Sequence, residues 1–240
     1  MPRKGKMSEG EESIVLTKEK EVKITPPNFQ TAEFTLTGVT PYVMNKFSQK
    51  VIGEMAAKHA AGSTANKGTK RKKKDFDANY QEAMHRSKQG WIGIPASCFR
   101  NALISACRLV GFKMTIAKLT LFVEADGYDR DEGTPLIKIT HGEPTKNIGY
   151  VRNADLSPDI RIRPLWEEGW QAKVRVRFDA DQFTLEEVSN LFHRVGLQVG
   201  IGEGRPDSKK SAGMGWGLFS ILRNESKPVR LPAKLIIGPE

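Results

Sequence analysis

Apolar and polar positions alternate along several stretches of the chain, and alternation is the pattern of a half-buried strand. Trp170–Phe178 is the clearest: Ala172, Val174, Val176 and Phe178 share one face, and Lys173, Arg175 and Arg177 the other. Ile160 and Ile162 alternate with Arg161 and Arg163 in the same way within Ile160–Leu165. Shorter runs at Phe34–Thr37, Ile116–Val123, Leu136–Ile139 and Trp216–Leu222 also predict strands, with Gly38 and Pro41 closing the first. Helical spacing appears elsewhere. Phe99, Ala102, Leu103, Ala106, Cys107 and Val110 form one apolar stripe behind Ser97 as N-cap, with Gly111 as the stop. Thr184-Leu185-Glu186-Glu187 has the form of a capping box, and Leu185, Val188, Leu191, Phe192 and Val195 follow on one face up to Gly196. A third helical pattern covers 46–62 with Phe47, Val51 and Met55 aligned, and Asp75–Arg86 suggests a fourth, shorter helix.

The major elements run strand, helix, strand, strand, helix, strand. This order predicts an α+β fold with a ferredoxin-like, RRM-like βαββαβ core, an antiparallel sheet with two helices on one face. The core occupies one domain, 29–222, with a helical insertion at about 46–90 and a hairpin insertion at about 126–158. Residues 1–28 and 223–240 read as tails, with weak edge-strand patterns at Ser13–Leu16 and Lys234–Ile237. If the arginine-bearing strands lie in one sheet, its outer surface is cationic.

Charge strengthens that picture. The 240 residues have a formal net charge of +10, which favours a polyanionic partner. Within 62–74, six cations occur with no acid, including the run Lys70, Arg71, Lys72, Lys73 and Lys74, and the stretch reads as a flexible nucleic-acid arm. Cys98 and Cys107 fall on one helix about 13 Å apart, too far to bridge, as expected of reduced thiols in a cytoplasmic protein. No apolar run is long enough for a membrane span.

Val199–Leu222 carries two alternating glycine runs, Gly200, Gly202, Gly204 and Gly213, Gly215, Gly217, around a centre with Arg205, Lys209 and Lys210. Glycines that strip one side of the backbone let a phosphate approach the amides, with cations beside it. A dinucleotide fingerprint runs from strand to helix, whereas this loop runs from helix to strand. A P-loop is excluded because no glycine directly precedes its lysine pair and Ser211. His59, His85, His141 and His193 have no metal-site spacing, and neither a cofactor nor a metal is expected. His59 and His85 flank the basic tract, where either could act as a base in RNA cleavage. Asp126, Asp129, Asp131 and Glu132 fit a solvated turn better than a cation site. Trp91, Trp166, Trp170 and Trp216 are available for base stacking, with at least two expected in the core.

Ile94-Pro95-Ala96-Ser97 leading into a helix with Arg100, followed by the glycine loop from Ile201 to Ile221, resembles the RAMP superfamily of CRISPR effector complexes. The likeness covers about 95–222 and is closest to the subunits that polymerise along a guide RNA. It implies an RRM-like fold and RNA-backbone contacts from Ser97, Arg100, Arg205 and Lys209. The expected function is non-catalytic binding of single-stranded RNA or DNA, RNA first, as a homo-oligomer or filament, with CRISPR effector subunits as further partners. A metal-independent endoribonuclease, a single-stranded DNA-binding recombination protein and a subunit mimic that blocks CRISPR complexes are the alternatives.

Overall fold

A computed structural model of the chain describes residues 25–62, 75–152, 158–208 and 213–222. Its long central strands are β1 (Phe29–Gly38) and β9 (Gln171–Asp179), paired antiparallel from Phe29↔Asp179 to Thr37↔Gln171. Alternation settles their orientation. Ala32, Phe34 and Leu36 of β1 and Ala172, Val174, Val176 and Phe178 of β9 are buried on one face, each large side chain contributing roughly 1.5–3 kcal/mol. Beneath that face lie α3 (Ala96–Leu109) and α5 (Leu185–Arg194). Phe192 of α5 joins the layers, its ring 4.9 Å from that of Phe34 and 6.3 Å from that of Phe99.

The sheet continues on both sides of this pair. β10 (Phe219–Leu222) flanks β1, while β4 (Leu121–Glu124) and β6 (Pro135–His141) share the far edge of β9. β3 (Gly93–Pro95) and β5 (Gly127–Tyr128) pair with β6, making seven antiparallel strands. A separate three-stranded sheet joins β2 (Tyr42–Val43), β8 (Pro158–Trp166) and β7 (Thr145–Arg152). Two helices precede β3: α1 (Gln49–Ala61) and α2 (Phe76–Glu82), the latter capped by Asp75, which accepts from the amides of Asp77 and Ala78. No helix among the described residues is long and apolar enough to cross a membrane.

Several expectations change. Ile116–Val123 is not one strand. Met114–Thr120 forms a short helix, α4, and only Leu121–Glu124 is extended. Ala117, Thr120 and Leu121 are buried at helical spacing, and Leu119, which alternation would place inside, is 73 % exposed. Ser97 is not the N-cap of α3. Pro95 occupies that position without a side-chain bond, and Ser97 is exposed in the first turn. The capping box at Thr184 and Glu187 forms as expected, but Gly196 does not end the helix. The backbone continues as a π-helical turn over Val195–Val199, and a Cβ on Gly196 would lie 2.1 Å from the Phe219 carbonyl. Gly196 is there because β10 crosses directly against it. The apolar positions around α1 face solvent: Phe47, Ile52 and Met55 are all exposed. Arg161 and Arg163 lie on β8, in the smaller sheet, so the two arginine-bearing strands do not share one surface. The tails, with both weak edge-strand patterns, fall outside the described residues apart from 25–28 and their junction with β1.

Trp170 is fully buried and donates from Nε1 to the Thr40 carbonyl at 3.0 Å. A Cβ on Gly38 would sit 2.0 Å from that nitrogen, so Gly38→Ala should destabilise the fold by about 2 kcal/mol or more. Gly53 of α1 has open space around it, and Gly53→Ala should be neutral or stabilising by up to about 1 kcal/mol. Urea denaturation of the two variants should separate them clearly, and equal effects would contradict this packing.

Candidate functional site

Three cavities line up along the glycine loop. One of about 320 Å³ lies between Asn45, His85, Cys98, Gly202, Glu203 and Arg205. A second, about 260 Å³, shares Cys98, Gly202 and Arg205 with it and reaches Ser105 and Asp207. A third, about 180 Å³, shares Ser105 and Asp207 and ends at Arg108 and Gln198. The three adjoin one another in a row, between the solvent-facing side of α3 and residues 201–208, and this row is the groove referred to below.

The glycine loop is folded rather than extended. All six glycines have φ between 70° and 77°, a left-handed region that other residues enter at a cost. Five of them, all but Gly215, permit close approaches, and these are to the chain itself. A Cβ on Gly217 would meet the Ile201 carbonyl at 1.8 Å, and one on Gly202 would meet the Tyr42 ring at 2.5 Å. The amides of Ile201, Glu203 and Gly217 are bonded to Gly217, Val43 and Pro41 carbonyls. The two glycine runs thus pack against each other and against β2, forming a rigid wall in place of the open amide row that alternation suggests. Arg205 donates to the Gly202 carbonyl at 3.0 Å and lines the groove, and Arg108 bridges from α3 to Asp207 at 3.0 Å. Burial pushes the Cys98 thiol up to about 11, despite opposing influence from Arg205 and the Gly202 amide, so it stays protonated and is no nucleophile at neutral pH.

The other expected contact residues are spread widely. Arg100 points away from the groove: it donates to the Lys118 and Leu121 carbonyls at 2.6 and 3.0 Å and lies 4.9 Å over the Phe122 ring. It therefore satisfies carbonyls at the end of α4 rather than a ligand. On the outer face of the large sheet, Arg175 is paired with Glu124 and Asp126 at 3.5 and 3.1 Å, and Lys173 is 3.9 Å from Glu33. Arg177 is held between Phe29 and Phe122, 5.1 Å from each centroid. The expected cationic face is thus largely neutralised by acids from β1, β4 and the turn after it. Arg161 is exposed, while Arg163 is buried beside Glu203. Trp166 and Trp170 are core, Trp91 lies over Gly93 and Gly127, and Trp216 lies over Gly204. Lys209, Lys210, Lys70, Arg71, Lys72, Lys73 and Lys74 lie outside the described residues.

At one end of the groove is a cluster whose members no local pattern connects. Lys46 Nζ donates to both oxygens of Asp129 at 2.9 and 3.0 Å and to Asp131 at 2.8 Å. Asp129 also accepts from the amides of Asp131 and Glu132 and lies 3.1 Å from His85 Nδ1. The acidic turn is not solvated at its centre, because Asp129 is fully buried and Lys46 supplies the cation. Burial alone would raise the Asp129 carboxyl, but the Lys46 ammonium and the two amides outweigh it and hold it at about 2. Burial also lowers His85 below its usual value, and Asp129 offsets this only in part. The imidazole is therefore neutral at pH 7, with its ring oriented by a carboxylate. Among the described residues no three His, Cys, Asp or Glu side chains are grouped to hold a metal.

Both shifts make stability depend on acid. Because the unfolded chain protonates His85 first, its contribution is complete above about pH 6.5 and is lost as pH falls towards the folded value. The Asp129 contribution is complete above about pH 4 and is lost as pH falls towards 2. His85→Gln should flatten the stability–pH curve below pH 6.5, and an unchanged slope would assign that dependence elsewhere. Asp129→Asn should cost about 3–5 kcal/mol in urea denaturation, since it leaves Lys46 buried without its main partner. No protein-family model matches the chain and no curated protein sequence matches it.

Proposed function

We propose that the protein binds single-stranded nucleic acid, RNA in the first instance, along the groove between α3 and the glycine loop. The observation that carries this reading is the groove itself: a row of three adjoining cavities, two of them lined by Arg205, on a chain of net charge +10. Arg205 in the loop, from one of the two motifs that resemble the RAMP superfamily, lines this groove; from the other motif Pro95 lines it, while Ser97 is exposed at the start of α3 and lines none of the three cavities. The strand order β10-β1-β9-β4, with α3 leading from β1 towards β4 and α5 from β9 to β10, supports a ferredoxin-like core within the larger sheet. Binding is passive in this reading. Copies of the protein assemble along the strand as a homo-oligomer, in the manner of guide-RNA backbone subunits.

One observation favours a second reading, a metal-independent endoribonuclease. His85 lines the groove with Nδ1 held by a buried carboxylate, which is how a general base is oriented. Labelled RNA incubated with the protein in a chelator separates the two: cleavage that disappears in His85→Gln establishes the enzyme, and intact RNA leaves the binder.

Binding is tested by fluorescence anisotropy with a labelled 20-mer RNA. If about six phosphates are contacted, the log–log salt slope should be about −4. Arg205→Glu should weaken binding about tenfold or more, whereas Arg175→Glu, in a position already paired with two acids, should change it by less than about threefold. The reverse ranking would move the interface from the groove to the sheet face. Absence of RNA binding at low salt would remove the proposal.

A further inference from the structure

The groove contains an acid where a polyanion is expected to bind. Glu203 is the one carboxylate among the residues lining the main cavity, and it stands between Gly202 and Gly204 on the wall of the loop. Its Oε1 is 3.4 Å from Arg163 Nη2, and its Oε2 accepts from Asn45 Nδ2 at 3.1 Å. Arg163 is 6 % exposed, and among the described residues its Nε, like that of Arg177, has no hydrogen-bond partner. It is held under the groove wall by β8, where the Met44 amide donates to the neighbouring Pro164 carbonyl at 3.1 Å. A buried guanidinium ordinarily has its donors satisfied by close, often bidentate, acceptors at about 2.7–2.9 Å. Here, among the described residues, one carboxylate at a longer distance is the only ion-pair partner, and Arg161 on the same face of β8 adds charge without relieving it. A carboxylate has two acceptor oxygens and one charge; a phosphate diester in its place would bring two non-bridging oxygens and one charge. The Glu203 carboxylate would then no longer face the rest of the strand, leaving Asp207, already paired with Arg108, as the acid of the neighbouring cavities.

We propose that Glu203 is a built-in occupant of an anion subsite, and that a phosphate replaces its carboxylate against Arg163 and Asn45. The inference deepens the groove reading and rests on it for the identity of the natural ligand. Departure of Glu203 requires little of the fold. Its side chain is 34 % exposed and its own amide is tied to the Val43 carbonyl at 3.0 Å, so the backbone stays in place while the carboxylate rotates towards solvent. The competing role is a clamp, in which Glu203 fastens the loop to β8 and the groove needs it there.

Inorganic pyrophosphate, followed by titration calorimetry, tests the subsite without relying on RNA. Glu203→Gln keeps the shape and removes the charge. If Glu203 masks Arg163, the variant should bind pyrophosphate about tenfold more tightly than the unaltered protein. The gain should vanish when Arg163→Met is added, because the uncovered guanidinium is then missing. A gain that persists in the double variant is general relief of repulsion and overturns the proposal, as does unchanged or weaker binding by Glu203→Gln, which is the clamp. If Arg163→Met fails to fold, Arg163→Lys serves instead: it keeps the charge but not the planar fork, and the Glu203→Gln gain should shrink to less than about threefold. With RNA, Glu203→Gln should steepen the salt slope by about 0.7, the value of one added phosphate contact on a single strand. A pyrophosphate site without RNA binding would remove the nucleic-acid reading and leave the subsite standing; RNA binding with no effect of Glu203 would do the opposite.

Discussion

The pairing of β1 with β9 is the constraint on which the other elements depend. Nine residue pairs place Ala32, Phe34 and Leu36 on the same face as Ala172, Val174, Val176 and Phe178. A slip of one residue would turn either set to solvent and bring charged side chains against α3 and α5. With that register held, Phe192 reaches both Phe34 and Phe99, and β10 comes to lie against the π-helical turn at Gly196. The glycine loop begins where that turn ends and finishes where β10 starts, so the sheet register sets the position of the groove wall.

The groove is held from two directions by polar contacts that carry charge. On the loop side, Arg108–Asp207 ties the glycine loop to α3, and Glu203 lies 3.4 Å from Arg163 of β8. On the other side, Lys46, Asp129 and His85 bring the segment after β2 together with the turn after β5. The two networks differ in completeness. Asp129 receives donors from Lys46, His85 and two amides, and a buried carboxylate in that state is a rigid structural element. Arg163 has no acceptor at Nε among the described residues. One network fixes the groove's end, and the other leaves a place for an anion.

Much of this was legible locally. The stripe from Phe99 to Cys107, the capping box at Thr184 and the alternation in β9 all became the expected elements, because each is specified by neighbours within a turn or two. Local reading failed where two periods fitted. Ala117, Leu119, Leu121 and Val123 alternate, but the same stretch places Ala117, Thr120 and Leu121 at helical spacing, and burial of Thr120 against the core decided for the helix. It also failed for charge. Arginines on alternate positions of β9 predicted a cationic surface, yet Glu33 and Glu124, more than 50 residues away in sequence, stand opposite them in the register.

The amino-acid sequence by itself determined the α+β class, the two core helices, the central strand faces and the presence of a glycine-rich, basic loop after the last helix. These depend on hydrophobic period, capping and composition, which act over a few residues. Tertiary structure alone decided which cations remain available and what the glycines are for. Arg100 was spent on the carbonyls ending α4, Arg177 on two phenylalanine rings, and five of the six left-handed glycines on packing the loop against itself and β2. Lys46, His85 and Asp129 meet from positions 39 or more residues apart, and Arg163 meets Glu203 across 40 residues. No spacing rule links such residues, because their proximity follows from how distant segments come together in the fold and not from any local backbone geometry.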